Sequence, residues 1–232
     1  MEAVLLLACV ALGGCASEAE ESLLALPDTP SSTAGPGSDG RSNTPRVTLG
    51  PAREDAENLL LSEDDVGVVD GFRGAVAADI GDLELYENPD PRGPCGAPVV
   101  AQPTPDAGRG FTTEDAIVLQ FVYLDAGMIE VLLEALAADL RPGCEPHESR
   151  TNVGTVQRVS APVPIDTTGL GDRSLGWTST ITSEGVSAQS ATVIMIADER
   201  SSVLVVVGDE VDADQVVALA QAAAERADAG PP

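Results

Sequence analysis

The chain contains no lysine, and this absence removes several kinds of chemistry. All 12 basic residues among its 232 are arginines. Without lysine there is no Walker A phosphate loop, no Schiff-base catalyst and no Ser–Lys dyad. The sequence therefore excludes P-loop nucleotide binding and covalent catalysis by an amine.

Positive charge as a whole is scarce. The chain carries 38 acidic residues and a formal net charge of −26. A surface of this kind is repelled by nucleic-acid phosphates and by anionic lipid headgroups. We therefore exclude nucleic acid as a partner and expect contact with a membrane through a lipid anchor only. The acidity itself favours solubility.

Histidine occurs once, at His147, and aromatic residues are few. Any Ser–His–Asp triad would have to use His147, and no GxSxG motif is present. The cysteines and this histidine do not form a zinc-ligand pattern. We predict no catalytic residue, no metal and no cofactor. Because acidic residues are plentiful, a hydrolase using paired carboxylates stays open as an alternative.

The first 14 residues have the pattern of a bacterial lipoprotein signal peptide. Their apolar run, Ala3–Leu12, is too short to span a bilayer but has the length of a signal-peptide core. The motif LGGC resembles a lipobox, which ends at the cysteine that becomes the lipidated first residue. We therefore predict a signal peptide over 1–14 and acyl chains such as palmitate on Cys15. The n-region, Met1–Glu2, lacks positive charge, so either the true start lies upstream or the signal is weak. The alternative is an ordinary buried N-terminal segment.

A polar segment follows Cys15 and extends to residue 58. It contains the run PDTPSSTAGPGSDGRSNTP and shows little hydrophobic periodicity. Such a composition buries too little apolar surface to offset the entropy of ordering the chain. We predict a disordered tether over residues 15–58, with a reach on the order of 35–40 Å.

Residues 59–232 are predicted to form one folded domain, and its first half contains a central strand followed by a helix. Ser62 has the pattern of an N-cap for a short helix. The β-branched and aromatic run Ile117–Leu124 predicts a central strand. A helix begins at Asp125 and ends before Pro142. Its apolar residues share one face and its acidic residues fall largely off that face: Ile129, Leu132, Leu133, Leu136 and Leu140 against Glu130, Glu134 and Asp139.

The C-terminal third predicts consecutive strands joined by short turns, and then a helix from Asp212. Short turns join antiparallel neighbours. The fold class is therefore α+β, with an antiparallel sheet and helices packed mainly on one face. The strand candidates are Val153–Ala161, Trp177–Thr182, Val186–Ala197 and Val203–Val207.

Two of the four cysteines are informative about the folded domain. Cys9 would be removed with the signal peptide and Cys15 would be lipidated, which leaves Cys95 and Cys144. Both lie beside Gly and Pro, in GPCGAP and RPGC, and outside the membrane disulfides persist. We predict that they form a disulfide; two free buried thiols are the alternative.

The order of these motifs resembles the PknH-like extracellular sensor domain of actinobacteria. The shared features are LLLSEDD, a cysteine in a Gly/Pro loop, IVLQFVYL, the leucine-striped helix ending in RPGC, GLGDRS and VDADQ. The domain occurs on receptor kinases and as free-standing lipoproteins. The resemblance implies an antiparallel sheet flanked by helices and a cleft for a ligand. It implies a membrane-anchored sensor or ligand-binding protein on the extracytoplasmic face of the cell membrane.

The most unusual loop, Gly169–Trp177, is the candidate ligand site. Arg173 could clamp an anionic ligand and Trp177 could stack on it, with Asp172 beside them. The ligand would be a small molecule, lipid or glycan of the cell envelope. The alternative is a turn with an Asp172–Arg173 surface pair and one buried indole. Two other functions stay open, a protein–protein adaptor of the envelope and the carboxylate hydrolase.

Overall fold

The computed structural model describes residues 51–78, 92–99, 103–150, 155–197 and 199–229. The predicted signal peptide, Cys15 and the tether up to residue 50 lie outside these residues. The described helices are α1 (Pro51–Asn58), α2 (Glu63–Gly67), α3 (Ala126–Asp139) and α4 (Ala213–Ala229). The described strands are β1 (Val76–Ala78), β2 (Ala107–Thr112), β3 (Ala116–Tyr123), β4 (His147–Arg150), β5 (Val156–Val159), β6 (Val163–Pro164), β7 (Arg173–Ser183), β8 (Val186–Ala197) and β9 (Arg200–Gly208).

These strands form one antiparallel sheet. Their order is β1-β2-β3-β9-β8-β7-β5-β4, and β6 pairs beside β7. The sheet and the accompanying helices confirm the predicted α+β class. The sequence placed β3 and β8 closely, but it started β7 four residues late and predicted no strand at β1, β2, β4 or β6. The four residues of β4 alternate between exposed and half-buried.

Helices cover both faces of the sheet, and three of the four described helices lie on the same face. We call this the first face; α2 and α4 pack on it, and α1 packs at its edge against Ala107 and Val122. The second face carries α3. Because both faces are covered, all eight residues of β3 are buried, which explains its nearly continuous apolar run. On α3, the buried apolar side chains are Ile129, Leu133 and Leu136, members of the predicted stripe.

The folded region includes α1, which lies inside the predicted tether. The boundary at residue 59 was therefore placed too late. Ala56 is fully buried in a cluster with Leu59 and Leu60, although most residues of the helix are polar or charged. Two alanines among eight residues, Ala52 and Ala56, give only a weak periodic signal, and the packing of Ala56 on the sheet is what reveals the helix.

A buried glutamine fixes the chain after α1. Gln120 of β3 is fully buried; its side-chain oxygen accepts from the Leu61 nitrogen at 2.6 Å, and its nitrogen donates to the Leu59 oxygen at 3.4 Å. The side-chain amide of Gln120 thus provides hydrogen-bond partners for two buried backbone groups, which an apolar side chain at this position could not do. Directly after this segment α2 begins, with Ser62 as its N-cap in a capping box, as predicted.

Candidate functional site

The candidate loop ends earlier than predicted, because β7 already begins at Arg173. The turn before the strand fits tightly against β8. A Cβ on Gly171 would lie 2.4 Å from the Ile196 oxygen, and the residue has φ +61°. The backbone nitrogen of Asp172 donates a hydrogen bond to the same Ile196 oxygen, at 2.7 Å. Only glycine fits here, so the turn fixes where β7 starts and which face Arg173 occupies.

Arg173 reaches across to α3. Its guanidinium nitrogens lie 3.5 Å from Glu130 Oε1 and 3.6 Å from Glu134 Oε1. The arginine side chain is 40% exposed, and the two glutamates are more exposed. The sequence placed both glutamates off the apolar stripe, and the structure shows that they face an arginine of the sheet. Arg173 therefore connects the helix to the sheet at the surface of the domain.

Trp177 lies on the same face of the sheet as Arg173. Residues four apart in a strand point to the same side and are separated by about 13 Å. The indole is half-buried against the second-face core and lies opposite Thr192 of β8. Asp172 is exposed and precedes the strand. The structure thus places Arg173 and Trp177 on one side of α3, and it does not place Asp172 with them.

We call Glu130, Glu134, Arg173 and Trp177 the α3 flank. Beyond Trp177 the same face of β7 becomes polar. The hydroxyl of Ser179 forms a hydrogen bond with the hydroxyl of Ser190 on β8 at 3.3 Å. The flank offers an aromatic surface, one guanidinium and two carboxylates. This set can stack on a flat ring and exchange hydrogen bonds with polar groups around it.

The far end of α3 carries the predicted disulfide. Cys95 and Cys144 are bonded, with Cα atoms 5.4 Å apart across 49 residues. The Cys95 nitrogen also donates to Asp139 Oδ2 at 2.8 Å. Asp139 is only 7% exposed, so it is buried together with the apolar stripe from which it was predicted to be separate. Its spacing of three from Leu136, a buried stripe residue, is the signal that could have placed it inward.

His147 lies beside the disulfide, in the first position of β4. Its ring packs on Gly96, where a Cβ would lie 2.9 Å from the ring Cγ. Its Nδ1 atom is buried and has no hydrogen-bond partner among the described residues. Burial lowers the pKa of His147; the charge of Asp139 opposes this effect and that of Arg92 adds to it. The sequence singled out His147 only as the sole histidine.

A small cavity lies on the first face, away from the α3 flank. Its lining includes Gln120, Ser202, Met195 and Ala223. Its volume of about 10 Å³ has room for roughly one water molecule. It is too small for an organic ligand, and we do not assign a binding role to it.

Two further properties bear on the site. Within the described ranges, no three His, Cys, Asp or Glu side chains come together as a metal ion would require. In the same part of the chain, no helix combines the length and the apolar character needed to cross a bilayer.

Fold and site together define an α+β domain with a candidate binding surface beside α3. Comparisons with protein-family models and with curated proteins give no match. Among solved structures, the chain is similar to the extracellular domain of PknH from Mycobacterium tuberculosis. The identity is 14% and the TM-score 0.48, over 75% of this chain and 96% of that one. Because this similarity is low, we base the function on the residues described above.

Proposed function

We propose that this chain is a lipid-anchored binding domain on the extracytoplasmic face of the membrane, of the sensor type. The observation that carries the location is the Cys95–Cys144 disulfide, since such bonds persist outside the cytosol. The lipobox at Cys15 and the polar segment behind it supply an anchor and a tether for such a domain.

The ligand would bind on the α3 flank. Trp177 supplies a half-buried indole, and Arg173, Glu130 and Glu134 supply donors and acceptors about 13 Å away, at the start of β7. Sugars combine an apolar ring face with hydroxyl groups that donate and accept. We therefore favour a glycan of the cell envelope over a lipid or a small anion, because the arginine already faces two carboxylates.

We propose that the domain binds without catalysis. A glycosidase acid is a carboxyl group in an apolar pocket, whereas Glu130 and Glu134 are exposed and face an arginine. A triad histidine donates from Nδ1 to a carboxylate, whereas Nδ1 of His147 has no partner among the described residues. The Asp139 carboxylate instead accepts from the Cys95 backbone.

The test uses the fluorescence of Trp177, the only tryptophan in the chain. The purified protein is titrated with envelope glycans, and separately with lipids and small anions. A glycan that binds at the flank changes the Trp177 emission. Arg173→Gln should weaken the affinity for that glycan by about tenfold, which corresponds to the loss of one charged hydrogen bond. Arg158→Gln, at an exposed arginine of β5, leaves the affinity unchanged. A ligand that binds equally to both variants without changing the emission contradicts the proposed site.

An envelope adaptor is the second candidate, and the outer side of α3 favours it. Met128 and Val131 are 50% and 69% exposed and lie three residues apart in the helix, so they form a small apolar patch on its surface. An adaptor would lose its partner in Val131→Ser and keep it in Arg173→Gln. A ligand-binding domain would show the opposite result.

A further inference from the structure

Residues 92–99 form a small hairpin that is stabilised by its own hydrogen bonds. Arg92 and Pro98 pair as an antiparallel bridge. Inside this bridge, the Gly93 nitrogen donates to the Ala97 oxygen and the Gly96 nitrogen donates to the Gly93 oxygen, both at 2.8 Å. Gly96 has φ +83°, a conformation that favours glycine. Because all of these bonds lie within the hairpin, its shape does not require the disulfide.

Cys95 lies at the tip of this hairpin. The turn 93–96 has Pro94 and Cys95 at its two central positions, and its closing hydrogen bond uses neither of their nitrogens. The Cys95 nitrogen donates instead to Asp139 Oδ2 at 2.8 Å. The tip is therefore bonded to the last residue of α3, and the cysteine that follows α3 is the disulfide partner, Cys144.

Asp139 has an unusual position for a carboxylate. It is the last residue of α3 and is only 7% exposed. The C-terminal end of a helix carries a partial negative charge, and burial of a charged group is costly unless it is hydrogen-bonded. The Cys95 N–H group supplies such a bond, and a Cβ on Gly93 would lie 2.5 Å from Asp139 Oδ2. The carboxylate thus lies directly against the backbone of the hairpin, and the hydrogen bond offsets part of the cost of its position.

Apolar packing also holds the hairpin near α3. Gly93 and Pro94 are buried, and a Cβ on Gly93 would lie 3.4 Å from Leu136 Cδ2. Val99 packs against the second-face core. Apolar contacts of this kind have little directional preference, whereas a hydrogen bond requires a particular distance and angle. The packing therefore brings the hairpin to the helix, and the bond to Asp139 fixes the orientation of its tip.

We propose that Asp139 is a positioning residue for the disulfide: before the bond forms, its carboxylate holds Cys95 beside Cys144. This role goes beyond the proposed binding function. The Cα atoms of the two cysteines lie 5.4 Å apart in the bonded protein, which is within the range that a disulfide requires. A hairpin that keeps this separation in the reduced protein loses little further freedom when the bond closes. Asp139 therefore raises the effective concentration of one thiol at the other.

Positioning acts on the second of two exchange steps. With a small disulfide such as oxidised glutathione as the oxidant, one cysteine thiolate attacks it, releases one glutathione thiolate and forms a mixed disulfide. The other cysteine thiolate then attacks the protein sulfur of that mixed disulfide, which forms the Cys95–Cys144 bond and releases the second glutathione. The protein thus loses two electrons and two protons, and both are taken up by glutathione. Only the second step is intramolecular, so it alone depends on how the two cysteines are placed.

The first test measures this effective concentration in the full chain. All variants carry Cys9→Ser and Cys15→Ser, so that Cys95 and Cys144 are the only thiols. The protein is equilibrated in mixtures of reduced and oxidised glutathione and quenched with acid, and its oxidised fraction is measured by mass spectrometry. Asp139→Ala should lower the effective concentration by about tenfold, which corresponds to the loss of one charged hydrogen bond. Asp139→Asn keeps an acceptor oxygen and should lie closer to the wild type.

Asp125→Ala is the matched control. Asp125 lies at the other end of α3, where its carboxylate accepts from the Gly127 nitrogen at 2.9 Å. Each substitution removes one hydrogen bond from a backbone N–H to a carboxylate of this helix, but only the bond at Asp139 involves the hairpin. Asp125→Ala should therefore leave the effective concentration unchanged. If Asp139→Ala leaves it unchanged as well, the proposal is wrong.

A second measurement separates positioning from a merely structural hydrogen bond. Urea denaturation gives the cost of Asp139→Ala in the disulfide-bonded protein and in a Cys95→Ser, Cys144→Ser background. Without the disulfide the hairpin can leave the helix, so part of the cost of the substitution is avoided. Positioning therefore couples the two sites, and Asp139→Ala should cost more in the bonded protein, by the factor by which the effective concentration falls. Equal costs in the two backgrounds overturn the proposal.

Amide hydrogen exchange decides the matter if Asp139→Ala does not fold. In the Cys95→Ser, Cys144→Ser protein with Asp139 intact, the backbone N–H of residue 95 should stay protected, because it still donates to the carboxylate. An N–H there that exchanges at the intrinsic rate shows that the tip of the hairpin is not held without the disulfide, and it overturns the proposal.

Discussion

Arg226, near the end of α4, forms an ion pair with Asp65 of α2, 161 residues earlier in the chain. The same guanidinium donates to the Asn58 oxygen at 3.3 Å. Asp65 also completes the capping box of Ser62, which starts α2. The two residues thus join the last helix of the domain to its first two helices.

Replacing Arg226 should weaken this junction. Arg226→Met keeps the apolar stem and removes the charge and its donors. Because both side chains are about a third exposed, we expect a loss of about 1 kcal/mol in the free energy of unfolding. Urea denaturation measures this loss. Arg53→Met, which breaks an exposed pair with Glu57 inside α1, is the control and should cost at most about 0.5 kcal/mol.

The contribution of Asp65 should depend on pH. Burial raises the pKa of Asp65, but hydrogen bonds from Ser62 and the charge of Arg226 outweigh it, and the pKa lies below its ordinary value of 3.8. A carboxylate with a lowered folded pKa stabilises the protein above the unfolded value and loses that contribution as the pH falls through the folded one. The difference between wild type and Arg226→Met should therefore shrink below about pH 4. A difference that is constant down to pH 2 would contradict this explanation.

The disulfide should make a larger contribution than the ion pair. Cys95 and Cys144 close a segment of 49 residues, and the chain-entropy model gives about 4 kcal/mol for such a loop. Reductant should lower the melting temperature of the wild type. The Cys95→Ser, Cys144→Ser double variant should melt at that lower temperature and no longer respond to reductant. Equal melting temperatures with and without reductant in the wild type would show that the bond does not stabilise the domain.

The turn before β7 offers a matched pair of glycines. Gly169 and Gly171 both have positive φ, but only Gly171 lacks room for a Cβ. Gly169→Ala should cost about 1–2 kcal/mol from the left-handed conformation alone. Gly171→Ala should cost clearly more, since the Ile196 oxygen that accepts from Asp172 must move. Equal losses in thermal denaturation would contradict the tight fit seen at Gly171.

The sequence predicted the elements that have strong local signals. Ile117–Leu124 is apolar throughout because β3 is covered on both faces, and Asp125 and Ser62 are N-caps with recognisable chemistry. Both cysteines lie in loops, and the structure pairs them. The strand and the caps depend on residues close together in the chain, so periodicity and capping rules are sufficient to find them; the disulfide was predicted because only two cysteines remained for the folded domain.

The parts that the sequence did not predict depend on contacts between distant residues. Nothing near Arg173 indicates that its partners are Glu130 and Glu134, 43 and 39 positions earlier. Likewise, Asp139 is buried because the Cys95 nitrogen donates to it, and α1 is folded because the sheet covers Ala56. Such long-range pairs follow from the topology, which local patterns do not determine.

The central claim is that the domain is anchored outside the cytosol through Cys15. The most direct measurement is the intact mass of the mature protein extracted from the membranes of a bacterium that expresses it, beside Cys15→Ser expressed in the same way. We predict a chain that begins at Cys15, with the added mass of lipid acyl chains and an intact Cys95–Cys144 disulfide. The variant should lack the lipid mass and appear in the soluble fraction. A wild-type chain without lipid mass, recovered from the soluble fraction with both thiols free, would contradict the anchor and the location together.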